Sequence, residues 1–183
     1  MVCSKCNNEK GRSMIEMLGV LAIIGVLSTA GIAGYTKAME KFKVNEAANQ
    51  ISTIISNYNT LMLGNPNKND LYNERVINQL VLPTEMLHDG HCYHALNGRC
   101  SVGHNLDPSK DEFVIRFGDL TKDMCVNLLS LPVTESALRI TINKNAPGAT
   151  LGSGNGNEFK GAVNISKATE LCHDSNNTIC WVF

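Results

Sequence analysis

The apolar positions of this chain form an unbroken run near its beginning and then a regular stripe. Between Met14 and Tyr35 the only charged residue is Glu16, so the stretch is long enough to cross a hydrocarbon core of roughly 30 Å as a helix. Further on, apolar residues recur with the i, i+3, i+4, i+7 spacing of a helix that buries one face. They are Val44, Ala47, Ala48, Ile51, Ile54, Ile55, Tyr58, Leu61 and Met62. The two patterns join into one helix, predicted to span Ser13–Leu63 and to be about 77 Å long.

The two halves of this predicted helix differ in what they require. The first half is apolar all round, so it needs lipid or other copies of itself, whereas the second half needs a globular domain laid along one side. Gly64 is expected to end the helix, and Pro66 prevents it from resuming. The polar residues between the apolar positions of the second half suit a solvated face: Asn45, Glu46, Asn49, Gln50, Ser52 and Asn57. We therefore expect a lollipop-shaped subunit, with a protruding apolar half-helix and a head on the amphipathic half.

The rest of the chain predicts strands interrupted by short helices. Asn97-Gly98 is a strong hairpin signal. The apolar run 113–117 is typical of a strand, and the alternation in 137–142 indicates a strand with one solvated face. Predicted helices cover 69–80, 121–131 and 166–172, predicted strands cover 113–117, 137–142 and 177–183, and the Gly- and Asn-rich segment 143–157 is predicted to be a loop. The fold class predicted is α+β, with a long N-terminal helix packed on an antiparallel sheet.

Glu16 is the position in the apolar run that calls for a functional explanation. A carboxylate within a membrane helix costs on the order of 3 kcal/mol to insert, so we expect it to pair with a cation supplied from elsewhere. An ordinary secretory signal is an alternative, with Lys5, Lys10 and Arg12 as the basic region and cleavage after 28–30. The acid within the apolar core and the continuation of the run argue against it. A plain membrane anchor is a further alternative, and a lipoprotein signal is excluded because no Cys follows the run.

The segment from Gly11 to Leu27 resembles the class III signal of type IV pilins and pseudopilins, and residues 76–86 resemble the segment after the long helix in type IVb-like pilins. The resemblance implies a leader, Met1–Gly11, that a prepilin peptidase removes, and a new N-terminus at Arg12 that is usually methylated. Arg12 departs from the Phe, Met or Leu that is common at this position. The resemblance also implies a filament in which Glu16 faces the N-terminal amine of a neighbouring copy.

This resemblance implies a domain organisation and a set of partners. The domains would be a cleaved leader (1–11), an apolar transmembrane and assembly helix (12–35), an amphipathic helix (36–64) and an α+β head (65–183). The partners would be copies of the chain in a helical filament, the prepilin peptidase, the inner-membrane assembly machinery and, before assembly, the membrane itself. The protein would then move from the bacterial inner membrane to an extracellular pilus or a periplasmic pseudopilus.

Composition and charge narrow the possible functions. The formal net charge is −1 and aromatic residues make up 5% of the chain, so neither a basic stripe nor a base-stacking surface supports nucleic-acid binding. No Ser/His/Asp arrangement, phosphate-binding loop or paired carboxylates with a recognisable context are found. We therefore expect no enzyme activity, no cofactor and no metal.

The cysteines predict disulfides in an oxidising compartment. Cys3 and Cys6 lie in the leader, and the other five are an odd number, so one thiol would stay free or pair with another chain. The pilin resemblance implies a disulfide between Cys125 and Cys172, with Cys125–Cys180 as the alternative. Cys92 and Cys100 flank the Asn97-Gly98 turn, but a two-residue turn there would set Ala95 opposite Cys100. A second bridge would therefore need a wider loop, and this pairing stays open.

A group of histidines around Cys92 is the only dense set of possible metal ligands: His88, His91, His94 and His104. Zinc needs three or four such ligands that converge. On a strand, His91 and His94 would lie on opposite faces, which favours an exposed polar loop. The sequence thus predicts a structural subunit of a pilus-like filament. The alternatives are a minor pilin or pseudopilin whose segment 88–104 binds a surface, ligand or metal, and a membrane-anchored exported enzyme.

Overall fold

A single long helix opens the fold. The computed structural model describes residues 13–64, 74–104, 112–143, 157–161 and 163–183. Helix α1 spans Met14–Gly64, so the prediction of one continuous helix from the apolar run into the amphipathic stripe is confirmed. By its contacts the chain divides into two compact units, Met1–Met39 and Glu40–Phe183. The boundary between the units lies within α1, so each unit contains a different part of this helix.

In the first unit, the described side chains from Ser13 to Ala38 are all exposed although most of them are apolar. The hydroxyl groups in this stretch bond back to the helix itself: Ser28 Oγ donates to the Ile24 carbonyl at 2.7 Å, and Thr29 Oγ1 donates to the Val26 carbonyl at 2.9 Å. Such hydroxyls need no water, so the helix surface is compatible with an apolar environment. Within the described residues, α1 is the one helix long and apolar enough to cross a membrane.

The second unit consists of the remainder of α1, short helices and one antiparallel sheet. In the described residues the sheet has seven strands in the order β1-β2-β3-β4-β7-β5-β6. The strands are β1 (Leu87–His88), β2 (His91–Tyr93), β3 (Arg99–His104), β4 (Phe113–Leu120), β5 (Arg139–Ile142), β6 (Asn157–Phe159) and β7 (Asn177–Val182). The helices are α2 (Glu74–Val81), α3 (Lys122–Leu129) and α4 (Ile165–Leu171), and 3-10 turns lie at Thr84–Met86 and Pro132–Ser136. The predicted α+β class with an antiparallel sheet is confirmed.

The core of this unit is built from the predicted stripe of α1 and one face of the sheet. The buried apolar residues of α1 are Val44, Ala47, Ile51, Ile54 and Tyr58. The Tyr58 ring stacks on Phe113 of β4 with 3.9 Å between centroids. On the neighbouring strand β7, Trp181 meets the Phe117 ring edge-on at 5.6 Å. Burial of each such side chain contributes roughly 1.5–3 kcal/mol, so the stripe fixes this half of α1 on the sheet.

Two polar residues of α1 contradict the prediction of a solvated face. Gln50 is buried, and its Oε1 accepts a hydrogen bond from the Ala95 amide at 2.9 Å. Asn57 is half-buried, and its Nδ2 donates to the Val81 carbonyl at 3.0 Å. The prediction was wrong because each side chain satisfies a backbone group distant in sequence, which helical periodicity does not reveal. These bonds position α1 against the β2–β3 loop and the end of α2.

Several other elements differ from the sequence prediction in extent. Helix α2 begins at Glu74, and residues 69–73 of the predicted helix lie outside the described part of the chain. Strands β1 and β6 were not predicted, since two or three residues are too few to show alternation. Strand β5 is buried at Ile140, Thr141 and Ile142, so its alternation did not mark a solvated face. The start of α3 is capped by Thr121, whose side chain accepts a bond from the Met124 amide.

Disulfides join Cys125 to Cys172 and Cys92 to Cys100. The first connects α3 to the residue after α4 with 6.1 Å between Cα atoms. The second connects β2 and β3, where Cys92 and Cys100 are direct partners in the register. Tyr93 pairs with Arg99, so the loop between the strands has five residues, 94–98, and the two-residue turn considered from the sequence does not form. The wider loop that this bridge requires is therefore present.

Two asparagines, Asn143 and Asn177, connect strand ends by hydrogen bonds near the disulfide Cys125–Cys172. The Asn177 side chain is fully buried, and its Nδ2 donates to the carbonyls of Leu120 and His173. Its Oδ1 accepts bonds from the His173 amide and from Asn143 Nδ2. Asn143 has a φ of 54°, a left-handed conformation that asparagine tolerates. The network holds the ends of β4, β5 and α4 around the start of β7.

Candidate functional site

The start of α1 is organised by the Glu16 side chain and the backbone of Ser13. Glu16 Oε2 accepts a hydrogen bond from the Ser13 amide at 3.2 Å, and the Glu16 amide donates to the Ser13 carbonyl at 2.9 Å. A Glu three residues after a Ser that begins a helix is the pattern of a capping box. A carboxylate in the first turn also interacts favourably with the helix dipole. The structure therefore gives Glu16 a local role at the helix start, which the spacing Ser13-x-x-Glu16 could have revealed.

The surroundings of Glu16 on α1 are apolar. Met14 and Ile15 are 84% and 77% exposed, and the next charged residue in the sequence is Lys37, about 31 Å further along the helix axis. A cation that pairs with Glu16 must therefore come from outside the apolar run. Gly11 and Arg12, the predicted processing residues, lie outside the described part of the chain.

The structure does not bring the predicted histidine cluster together. His88 and His91 are exposed, and His91 Nδ1 donates to the Asp89 carbonyl at 3.0 Å. His94 is buried beneath the loop 94–98, and the side chain of His104, at the end of β3, is not described. In the described part of the chain, no group of three or more His, Cys, Asp or Glu side chains is placed to hold a metal ion.

His94 has a structural environment. Its ring stacks on Phe117 with 4.5 Å between centroids. Its Nε2 donates to the Gly118 carbonyl at 2.9 Å, and its Nδ1 accepts a bond from the Leu96 amide at 3.2 Å. Burial lowers the pKa of His94 below its ordinary value of 6.5, while the bond to the Gly118 carbonyl and the Asp119 carboxylate act in the opposite direction. Both ring nitrogens are engaged, so His94 is not available as a metal ligand in this conformation.

A polar groove of about 310 Å³ lies beside this loop. It is lined by Gln50, Glu85, His88, Tyr93, His94, Ala95 and Asn97. The His88 and Tyr93 rings are 6.4 Å apart and tilted. The groove offers hydrogen-bonding side chains without a converging set of ligands, so it does not define a catalytic or metal centre.

A long helix with an exposed apolar half, followed by an antiparallel sheet that packs on its amphipathic half, is the architecture of a type IV pilin. Residues 41–183 match the family model described as PilS N terminal. The chain belongs to this family, and the resemblance to type IV pilins is confirmed. The match covers most of the amphipathic half of α1 and the head, whereas the sequence resemblance rested mainly on residues 11–63.

A search of solved structures finds TcpA, a type IV pilin from Vibrio cholerae El Tor biotype, with a TM-score of 0.49 and 13% sequence identity. The alignment covers 79% of this chain and 99% of that chain. A comparison with curated proteins finds no match.

Membership of this family defines a coarse function. The chain is a pilus subunit, of a family that is structural rather than enzymatic and whose members assemble with copies of themselves into filaments. The exposed apolar half of α1 fits membrane anchoring before assembly.

Proposed function

We propose that the chain is a filament subunit that a prepilin peptidase cuts after Gly11, so that Arg12 becomes the new N-terminus. The observation that carries the proposal is the exposed apolar surface of α1 from Met14 to Ala38. Such a surface is stable only in lipid or against other apolar helices. Residues 12–35 would occupy the membrane first and then pack against the same residues of other copies.

In this assembly Glu16 neutralises the N-terminal amine of a neighbouring subunit. A charge left unpaired in a low-dielectric bundle costs several kcal/mol, whereas the apolar residues around it tolerate many axial positions. The ion pair would therefore select one axial register among them. The bond between Glu16 and the Ser13 amide leaves other carboxylate lone pairs available for the neighbour's amine.

The same proposal assigns a role to each remaining part of the chain. Residues 1–11 are the leader, 36–64 the amphipathic helix that carries the head, and 65–183 the head itself. The subunit resides in the inner membrane, where the assembly machinery takes it up, and the filament then leaves the cell as a pilus. Loss of the leader removes Cys3 and Cys6 from the mature protein.

The charge of Glu16 can be tested separately from its capping role. Glu16→Gln keeps an acceptor for the Ser13 amide but carries no charge, and Glu16→Ala loses both. If the ion pair selects the register, both variants should enter sheared filaments at least about tenfold less than the wild type, since each 1.4 kcal/mol is a factor of ten. Both should still be exported with the disulfide Cys125–Cys172 formed.

The outcome that would contradict the proposal is normal incorporation of Glu16→Gln. In that case the capping bond, which Gln preserves, would account for the presence of the acid. Glu46→Ala is the matched control, because Glu46 lies on the same helix but in the second unit and should leave incorporation unchanged.

A further inference from the structure

The loop 94–98 folds over the side chain of its own first residue, His94. The disulfide Cys92–Cys100 closes the base of the loop. Inside it, His94 Nδ1 lies 3.2 Å from the Leu96 amide nitrogen, and His94 Nε2 lies 2.9 Å from the Gly118 carbonyl oxygen. A backbone amide can only donate and a carbonyl can only accept. The closed loop therefore requires a neutral ring with its proton on Nε2.

The loop fits tightly against the ring. A Cβ atom at Gly98 would come within 2.2 Å of the Gly118 carbonyl oxygen and 2.5 Å of His94 Nε2. Leu96 is buried, and the Ala95 amide donates to Gln50 Oε1 of α1 at 2.9 Å. Gly98 thus packs directly against the ring, where no side chain would fit, and the loop also holds the contact with α1.

We propose that His94 is a pH-sensitive latch for the loop 94–98 of the pilin head. When His94 Nδ1 takes up a proton from solvent, it changes from a hydrogen-bond acceptor into a second N–H donor. This donor then faces the Leu96 amide, which can only donate. The hydrogen bond between them breaks, and the buried ring becomes a cation beneath the loop. The loop then opens from Ala95 to Gly98, while the disulfide keeps β2 and β3 paired at its base.

The charged and titratable groups around His94 decide whether the closed loop could retain a protonated ring. Asp119 on β4 favours the protonated ring; Asp119 is itself bonded to the Arg99 amide. From the 3-10 turn and β1, Glu85 and His88 line the adjacent groove and are exposed, so water screens them. Tyr93 lines the same groove, and α1 contributes the uncharged Gln50. None of these is a buried carboxylate that would retain the cation in the closed loop.

The sign of the pH effect follows from burial. Because the pKa of His94 is lowered in the folded chain, the unfolded or open chain binds more protons below pH 6.5, and stability rises with pH in that range. The closed loop is fully stabilised above about pH 6.5, and this stabilisation is lost as the pH falls through the lowered pKa of His94.

The test is amide hydrogen exchange on the oxidised full-length chain in detergent micelles at pH 7.5 and at pH 4.5, corrected for intrinsic exchange rates. The latch predicts that protection of the Leu96 and Ala95 amides falls by about tenfold or more at low pH. The Ile115 amide in the centre of the sheet should keep its protection. Equal loss at all three amides would indicate global unfolding and overturn the proposal, as would unchanged protection at Leu96.

Variants separate His94 from the other histidines. His94→Gln stays neutral, so its Leu96 protection should not depend on pH, whereas His91→Gln, three residues away and exposed, should respond as the wild type does. If His94→Gln disturbs the fold, the wild-type ring provides the same test by ¹⁵N NMR. At pH 7.5 only the Nε2–H tautomer should be seen, and an Nδ1–H tautomer would overturn the latch.

Discussion

The two halves of α1 are parts of one helix with opposite relations to their surroundings. Ile24 in the first half is 53% exposed, whereas Ile51 in the second half is fully buried. Both residues have the same intrinsic helix propensity, so propensity cannot account for the difference. The second half has a partner within its own chain, the sheet of the head, and the first half has none among the described residues of its unit.

The stability of the two units depends on different contacts. The second unit folds through its own core and disulfides, and its stability belongs to the single molecule. The stability of the first unit depends on what surrounds it, which under the proposed function is lipid before assembly and other copies afterwards. The proposed function needs both properties, because the head would have to remain folded while the apolar half of α1 moves from the membrane into a filament.

Removing the disulfide Cys125–Cys172 should produce the largest change confined to the second unit. The bridge spans a sequence separation of 47, and in the chain-entropy model closing such a loop contributes about 4 kcal/mol. Replacing both cysteines by alanine should lower the free energy of urea unfolding by about that amount. Trp181, the single Trp of the chain and fully buried in the head, reports unfolding by fluorescence.

The disulfide Cys92–Cys100 is the matched control, because it closes a loop with a sequence separation of only 8. The same model gives about 2.6 kcal/mol for its removal. Equal losses from the two double variants would show that loop length does not govern the stability of the head.

A pair of isoleucine substitutions sharpens the contrast between the halves of α1. Ile51→Ala removes a fully buried side chain and should destabilise the head by about 3 kcal/mol, within the usual range for such truncations. Ile24→Ala, on the exposed half, should change head stability by less than about 0.5 kcal/mol. The measurement is urea unfolding of the full chain in micelles, followed by Trp181 fluorescence.

The division into two units would be wrong if Ile24→Ala destabilised the head as much as Ile51→Ala does. Both substitutions remove the same side-chain atoms from the same helix, so the comparison isolates the effect of burial on head stability. Reduced filament yield from Ile24→Ala with unchanged head stability would agree with a role of that residue in assembly.

The sequence predicted those parts of the fold that repeat. The apolar run and the periodic stripe together located α1 to within a residue at each end. An apolar run located β4, and alternation located β5 and β7. Strand β1 and strand β6 were missed because they have two and three residues. Their existence depends on neighbours in the sheet, which local sequence does not encode.

The polar contacts were the least predictable part. Gln50 resembles any solvated helix residue until the Ala95 amide, 45 positions away, is placed beside it. His94 belonged to a dense group of histidines, yet stacking on Phe117 and bonds to local backbone groups give it a structural environment. In both cases the partner is supplied by tertiary structure. The bond between the Glu16 carboxylate and the Ser13 amide, in contrast, is local and follows from the spacing Ser13-x-x-Glu16.

The most direct test of the account is the N-terminal sequence and intact mass of the protein recovered from membranes of a host that has a prepilin peptidase. The account predicts a chain that begins at Arg12, with or without a methyl group, and that keeps the whole apolar half of α1. A chain that begins at Gly31 would have lost that half to an ordinary signal peptidase. That result would contradict assembly through α1, since the surface proposed to pack in the filament would be absent from the mature protein.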